Sequence, residues 1–168
     1  MKLALILFSF LFYNQPNNLI EMRNLFPVIG KTEEAADKLK SISQTSKSTN
    51  KNIKLAYYAA AYMASAKYKI NPYTKYKTFV TGKNLLESSI LADTSNIETR
   101  FIRFIIQNHA PGFLGYNKNL ENDKKFIFKS LNTLQKSDVD LYSRIYAFLV
   151  RSNKISEVDK LSLNYKKP

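Results

Sequence analysis

The fold of this chain depends on residues 97 to 116, which read IETRFIRFIIQNHAPGFLGY. Phe and Ile recur at helical spacing from Ile97 to Asn108, and the polar turn from Asp93 to Asn96 offers several N-caps. Pro111-Gly112 then stops the helix, because proline and glycine both disfavour its continuation. The stretch from Ile97 to Asp123 therefore predicts two helices that meet at a Pro/Gly corner.

Outside this stretch, apolar residues follow the same helical period, and no alternating run indicates a strand. The sequence predicts an all-α protein of about seven helices, stacked as antiparallel hairpins or as an irregular helical bundle. The predicted helices cover residues 19–26, 33–44, 53–70, 73–91, 97–108, 120–134 and 139–150, with a short amphipathic piece at 155–161. In the fourth helix we expect six residues to point inward, namely Tyr76, Phe79, Val80, Leu85, Leu86 and Ile90.

The helix pairs at 53–91 and 97–134 are similar in length and are separated by a polar turn. The contact positions that they share with repeat proteins are Ala59-Ala60-Ala61, Gly82, Leu85-Leu86 and the turn from Leu91 to Asn96. Over about half of its length the chain resembles a tetratricopeptide-type array of antiparallel helix hairpins. It departs from that pattern because its helices are longer than a repeat of about 34 residues allows, and because Thr94 and Ser95 stand where such repeats usually have proline. The resemblance implies protein binding by analogy.

The N-terminus has the pattern of a secretory leader. Lys2 is followed by an almost continuous apolar run from Leu3 to Tyr13, which is too short to span a bilayer core of about 30 Å as a helix. We expect a signal peptide at residues 1–15 and a single all-α domain at 16–168, exported to the periplasm or secreted. No small-x-small triplet follows the run, so an uncleaved membrane anchor and an ordinary buried helix are the alternatives. With this leader the chain also resembles small exported helical proteins of bacteria, which implies a compartment and no chemistry.

A formal net charge of +13 is the strongest compositional signal. A cationic surface attracts nucleic acid, anionic lipid or acidic polysaccharide before any specific contact forms, so the charge alone does not choose among them. Genome composition is an equal alternative explanation, because AT-rich codons also produce abundant Lys, Asn, Ile, Phe and Tyr. The preference for Lys over Arg weighs against dedicated phosphate recognition. The absence of Cys excludes disulfides, thiolate metal sites and Cys nucleophiles.

Two arginines stand on the apolar helix at 97–108. Arg100, Arg103 and Gln107 are three and four residues apart, so they share one stripe of that helix. Two guanidinium groups in such surroundings need partners. One interpretation is a partly buried ion-pair network with a nearby acid, either Glu98, Asp123 or Glu121. The other is a clamp that faces a groove and binds an anion or a carboxylate.

Tyr116 follows the turn that Gly112 and Gly115 permit, and it fits either a ligand-accepting loop or the plug of a tight corner. If a groove is present, the turn and the arginine stripe together form its lining. The candidate site for a partner or an anion then consists of Arg100, Arg103, Gln107, Tyr116 and Asp123.

His109 is the only histidine, and it cannot form a zinc site without Cys or a cluster of carboxylates. A role for its imidazole in satisfying the turn backbone is the simpler interpretation. No paired carboxylates, Gly-rich phosphate loop or nucleophile elbow occurs in the sequence. We therefore expect a non-enzymatic protein with no cofactor and no bound metal.

A second candidate site surrounds the Asn71-Pro72 corner, where lysines and tyrosines alternate. Such a patch can stack on bases or sugars and neutralise phosphates. No nucleic-acid motif accompanies it, and export makes nucleic acid a poor partner. This alternative patch consists of Lys67, Tyr68, Lys69, Tyr73, Lys75, Tyr76 and Lys77.

Two functions are therefore predicted from different classes. The first is an exported protein that binds a protein partner of the cell envelope through a groove near Arg100, Arg103 and Tyr116. The second is a basic module that binds an anionic polymer or lipid headgroups through Lys67 to Lys77. Sequence alone does not give the partner's identity or the oligomeric state.

Overall fold

The computed structural model describes residues 18–47, 49–153 and 155–164, without the side chains of residues 162 and 164. The predicted signal peptide lies outside the described residues. The prediction of an all-α protein is confirmed, because the described residues form eight α-helices and no strand. The helices are α1 (Asn18–Leu25), α2 (Glu33–Thr45), α3 (Lys51–Ser65), α4 (Pro72–Ala92), α5 (Ile97–His109), α6 (Leu120–Ser137), α7 (Val139–Arg151) and α8 (Glu157–Asn164). None of the described helices is both long and apolar enough to cross a membrane.

Polar side chains determine where several helices begin. At the N-cap of five helices, a side-chain oxygen accepts a hydrogen bond from a backbone N–H of the first turn. This satisfies a donor that the helix itself leaves unpaired, and each such cap is worth about 1 kcal/mol. The capping residues are Thr32, Asn50, Asn71, Asn96 and Asp138.

The first core forms around α3, which packs against α2 and α4. The Ser89 hydroxyl of α4 donates to the Asn52 carbonyl of α3 at 2.7 Å, while Gly82 lies against Ala59 and Met63. α3 and α4 are therefore antiparallel. Buried alanines on α3 allow this close approach, namely Ala56, Ala59, Ala60 and Ala61.

The second core joins α5, α6, α7 and α8. Ile127 and Leu131 of α6 pack there with Ile145 and Leu149 of α7, and all four side chains are buried. α5 belongs to both cores: Ile102 packs in the first, and Phe101 and Phe104 pack in the second. This helix therefore holds the two halves of the described chain together.

Two predictions about the α3–α4 corner were wrong. α3 ends at Ser65 and passes into a 3-10 turn at Ala66–Tyr68, whereas we expected a helix to residue 70. Tyr76 was expected to point inward, but 57% of its surface is exposed. The reason is that α3 ends at Ser65, so it does not extend alongside the first turns of α4. Thr78 is the first buried residue of α4.

Candidate functional site

Arg103 of α5 is buried and has a carboxylate partner for each of its three nitrogens. Its Nε and Nη2 donate to the two oxygens of Asp123 at 2.6 and 2.8 Å, and its Nη1 donates to Glu87 at 2.6 Å. Burial alone would lower the pKa of Arg103, but the hydrogen bonds and charges of Asp123 and Glu87 outweigh it and raise the pKa. The guanidinium group is thus charged, and each of its nitrogens donates to a carboxylate within the fold.

Arg100 lies one turn earlier and is less buried. Its Nη1 donates to Asp123 at 3.1 Å, and its Nε donates to the Thr94 carbonyl at 2.7 Å. The guanidinium carbon also lies 4.3 Å from the ring centroid of Phe126, which is a cation–π contact. Asp123 therefore accepts hydrogen bonds from both arginines, although its own carboxylate is completely buried.

Tyr116 is buried beside this network. Its hydroxyl donates a short hydrogen bond to Glu87, and its ring packs edge-on against Phe79 of α4 with 6.0 Å between centroids. Burial, and then the hydrogen bond to Glu87, raises the pKa of Tyr116 well above its usual range. The preceding Gly115 has φ of 56°, a left-handed conformation that brings the chain round the corner. The structure thus brings together four of the five residues predicted for the first candidate site.

Gln107 and His109 take no part in this network of hydrogen bonds. Gln107 is buried, and neither atom of its amide group has a hydrogen-bond partner among the described residues. His109 is exposed, and its Nδ1 lies 2.8 Å from the Ile105 carbonyl of its own helix. No group of three or more side chains suited to a metal ion occurs in the described part of the chain.

The predicted partners of the arginines are only partly as expected. Asp123 does pair with both, but Glu98 and Glu121 pair with Arg23 and Lys124 instead. Glu87 was not considered, because it lies on α4 and reaches Arg103 only through the packing of α4 against α5.

A second buried network was missed entirely. Arg23 of α1 donates through Nε and Nη2 to the Glu98 carboxylate at 2.7 and 2.8 Å, and both side chains are only 3% exposed. It also donates to Asp138 at 2.6 Å and to Asp140 at 2.9 Å, at the start of α7. The Tyr57 hydroxyl completes the cluster with a 2.7 Å hydrogen bond to Glu98. A lone arginine in the apolar segment at 19–26 was the signal in the sequence.

The α3–α4 corner has a different character, because most of its side chains face solvent. Tyr68 is an exception, since its hydroxyl is buried without a hydrogen-bond partner among the described residues. Ile70 is 99% exposed and Tyr73 is 72% exposed. Every residue from Ile70 to Lys77 is exposed, so the first six residues of α4 stand clear of the packed bundle. At 1.5 Å per residue this is about 9 Å of helix. We call residues 67–77 the cationic corner.

The cationic corner belongs to a long segment of sequence that contains no acid. Residues 38–86 contain ten lysines and no Asp or Glu, so all 13 acidic residues lie outside that segment. The first turns of α3 and α4 contain no acid, whereas each of the other six helices has at least one there. The ten are Lys38, Lys40, Lys47, Lys51, Lys54, Lys67, Lys69, Lys75, Lys77 and Lys83.

The lysines of the cationic corner are largely free of internal partners. Lys67 donates to the Gly30 carbonyl at 3.0 Å. Lys69, Lys75 and Lys77 form no ion pair with any carboxylate in the described ranges. The partial positive charge of the α4 N-terminus adds to theirs. This corner therefore has unused charge, whereas each nitrogen of Arg103 has a partner and Arg100 keeps only its Nη2 without one among the described residues.

Comparisons of this chain with protein-family models, with curated proteins and with solved structures give no match, so the resemblance to tetratricopeptide arrays stays a prediction.

Proposed function

We propose that this protein is an exported, non-enzymatic helical domain that binds an anionic surface through the cationic corner. The observation that carries the proposal is the combination of an acid-free segment with a fully exposed end of α4. The cationic corner itself contains Lys67, Lys69, Lys75 and Lys77 and no acid, so its own charge is strongly positive.

The arrangement is unfavourable for stability alone, which supports a role in binding. Lys75 lies in the first turns of α4, where the helix dipole favours acids and disfavours cations by a few tenths of a kcal/mol. Acids occupy that position in most other helices of the chain. An anion that approaches the corner would remove both the mutual repulsion of the lysines and their conflict with the dipole.

If the predicted leader exports the protein, fewer anionic partners are accessible to it. Headgroups of anionic lipids and acidic polymers of the cell envelope are accessible outside the cytoplasm, and nucleic acid is not. The cationic corner complements both kinds of envelope partner, because its lysine ammonium groups attract anionic groups and its tyrosine rings can pack against lipids or sugars.

A protein partner held in a groove at Arg100, Arg103 and Tyr116 is the other predicted function, and it has less support. Every nitrogen of Arg103 and the hydroxyl of Tyr116 already have partners within the fold. A ligand at Arg103 or Tyr116 would have to displace the carboxylate of Asp123, which is fully buried, or that of Glu87, which is partly buried.

The proposal is tested by neutralising the lysines without partners. The triple variant Lys69→Gln, Lys75→Gln, Lys77→Gln should bind weakly to immobilised heparin and to vesicles that contain phosphatidylglycerol. Each lysine near an anionic surface is worth about 1 kcal/mol, so the loss is about 100-fold in affinity at low salt. Wild-type binding should also weaken steeply as salt is added.

A matched control removes the same charge elsewhere. Lys125, Lys129 and Lys136 are exposed on α6, and their triple Gln variant has the same net charge as the first. It should retain most of the binding, because these lysines lie on α6, outside the cationic corner. Equal losses from both variants would show that net charge alone drives association, and would overturn the assignment to the cationic corner.

A further inference from the structure

The cationic corner contains an apolar residue that charge attraction does not explain. Ile70 follows Lys69 and precedes the Asn71-Pro72 turn, and its side chain is 99% exposed. An exposed isoleucine at a protruding tip contributes nothing to the core. It also contributes little to binding a hydrated polysaccharide, whose surface is polar.

The turn that presents Ile70 is firmly built. Asn71 accepts hydrogen bonds from the N–H groups of Tyr73 and Thr74 at 2.8 and 3.2 Å, and Pro72 fixes the backbone at the first position of α4. The start of α4 is therefore fixed directly after Ile70.

Tyrosines stand directly behind this tip. Tyr73 and Tyr76 are three residues apart on α4, so they lie on one face of the exposed turns, and they are 72% and 57% exposed. A tyrosine ring combines an apolar body with a polar hydroxyl, which is the chemistry favoured at the boundary between lipid tails and water. Lysines flank them and can extend their ammonium groups toward headgroups.

From this order of side chains, and resting on the proposed function, we infer that the anionic surface is a phospholipid bilayer into which Ile70 inserts. Ile70 enters below the headgroups, Tyr73 and Tyr76 lie at their level, and Lys69, Lys75 and Lys77 contact their phosphates. A second copy of this chain is a poor occupant of the same surface, because two cationic corners repel each other.

The absence of cysteine allows a direct test in the full chain. A fluorophore sensitive to polarity is attached at Ile70→Cys, and vesicles of phosphatidylcholine with phosphatidylglycerol are added. The emission should shift to the blue and be quenched by lipid-borne quenchers. The same label at Leu91→Cys is the matched control, since Leu91 is 77% exposed at the other end of α4. That label should show no shift, even if the N-terminal apolar run also meets the membrane.

A second variant measures the contribution of the isoleucine. Ile70→Ser should fold normally, because no contact is lost, and should lower the partition into these vesicles about 10- to 100-fold. Its retention on heparin should not change, because heparin offers charge without an apolar layer. Leu91→Ser should change neither measurement.

The outcomes separate the two proposals. If Ile70→Ser binds vesicles as the wild type does and the label at position 70 stays in water, insertion is refuted. If the triple Gln variant of the corner still loses heparin binding in that case, the proposed function stands with an acidic polymer as the ligand. If the triple variant keeps its binding to both probes, the proposed function itself fails.

Discussion

Replacing Arg23 with Met would leave the Glu98 carboxylate buried with one remaining partner. In the wild type, Glu98 accepts two hydrogen bonds from Arg23 and one from Tyr57, and it is 3% exposed. Removing one member of a buried ion pair costs about 3–5 kcal/mol, because the other charge stays desolvated. Since the Tyr57 hydroxyl still donates, we expect the lower end of that range, about 3 kcal/mol.

The assay is thermal and urea unfolding followed by circular dichroism. For a chain of this size, a loss of about 3 kcal/mol corresponds to a Tm lower by about 6–12 °C. Arg151→Met is the control, because Arg151 is exposed at the end of α7, and an exposed substitution should change stability by at most about 0.5 kcal/mol.

A double-mutant cycle separates the ion pair from packing. Glu98→Gln alone should cost about 1–2 kcal/mol, since Arg23 keeps its contacts to Asp138 and Asp140. The double variant Arg23→Met, Glu98→Gln should cost less than the sum of the two by at least about 1 kcal/mol. A loss below about 1 kcal/mol for Arg23→Met, or strict additivity in the cycle, would refute this account of the network.

Two further predictions concern packing and pH. Gly82→Ala should destabilise the fold by about 1–3 kcal/mol, despite the better helix propensity of Ala. The added Cβ would lie 2.5 Å from Met63 Cγ and 2.9 Å from the Ala59 carbonyl oxygen. A higher urea midpoint for this variant would contradict this packing. At Asp138 burial disfavours the charged form, but the hydrogen bond from Arg23 outweighs it and lowers the pKa below the ordinary 3.8. The stability that the Asp138 carboxylate adds is therefore present above about pH 4, and it is lost as the pH falls through the lower pKa of the folded state. Urea midpoints measured against pH should show this loss, and Asp138→Asn, which keeps an N-cap, should show a smaller one; an unchanged pH profile in that variant would exclude the assignment.

The helices of this chain could be predicted because their signals are local. Apolar residues at a period of 3.6 identify a helix and its inward face within a few turns of chain, and capping residues such as Asn71 and Asn96 precede the first turn. The Pro111-Gly112 corner could be predicted for the same reason. These features depend on neighbours in sequence, which are visible without any knowledge of packing.

The exposure of Tyr76 could not be predicted in that way. Its position on the stripe of Phe79 and Leu86 was read correctly, but periodicity does not say how far along a helix a neighbour extends. α3 ends at Ser65, so the apolar stripe of α4 extends beyond the helix that it packs against. The same event exposes Ile70, and it is what gives the cationic corner its apolar tip.

The buried arginines show a related limit. That Arg103 needs an acid follows from its apolar helix, and Asp123 is near enough in sequence to be an obvious candidate. Arg23 finds Glu98 at a separation of 75 residues, which only the tertiary arrangement determines. Charge pairing within a helix or across one turn can be inferred from spacing, whereas pairing across the fold requires the fold.

The contacts of Arg23 also affect the order in which parts of the fold can form during synthesis. Its partners Asp138 and Asp140 lie 115 and 117 residues further along the chain. During synthesis α1 emerges early, but the start of α7 emerges only when most of the chain has been made. Contacts so distant in sequence form late, because a long loop must close before they do. The packing of α1 in the first core can form early, because Met22 contacts residues of α2, but its attachment to the start of α7 forms only after most of the chain has been made.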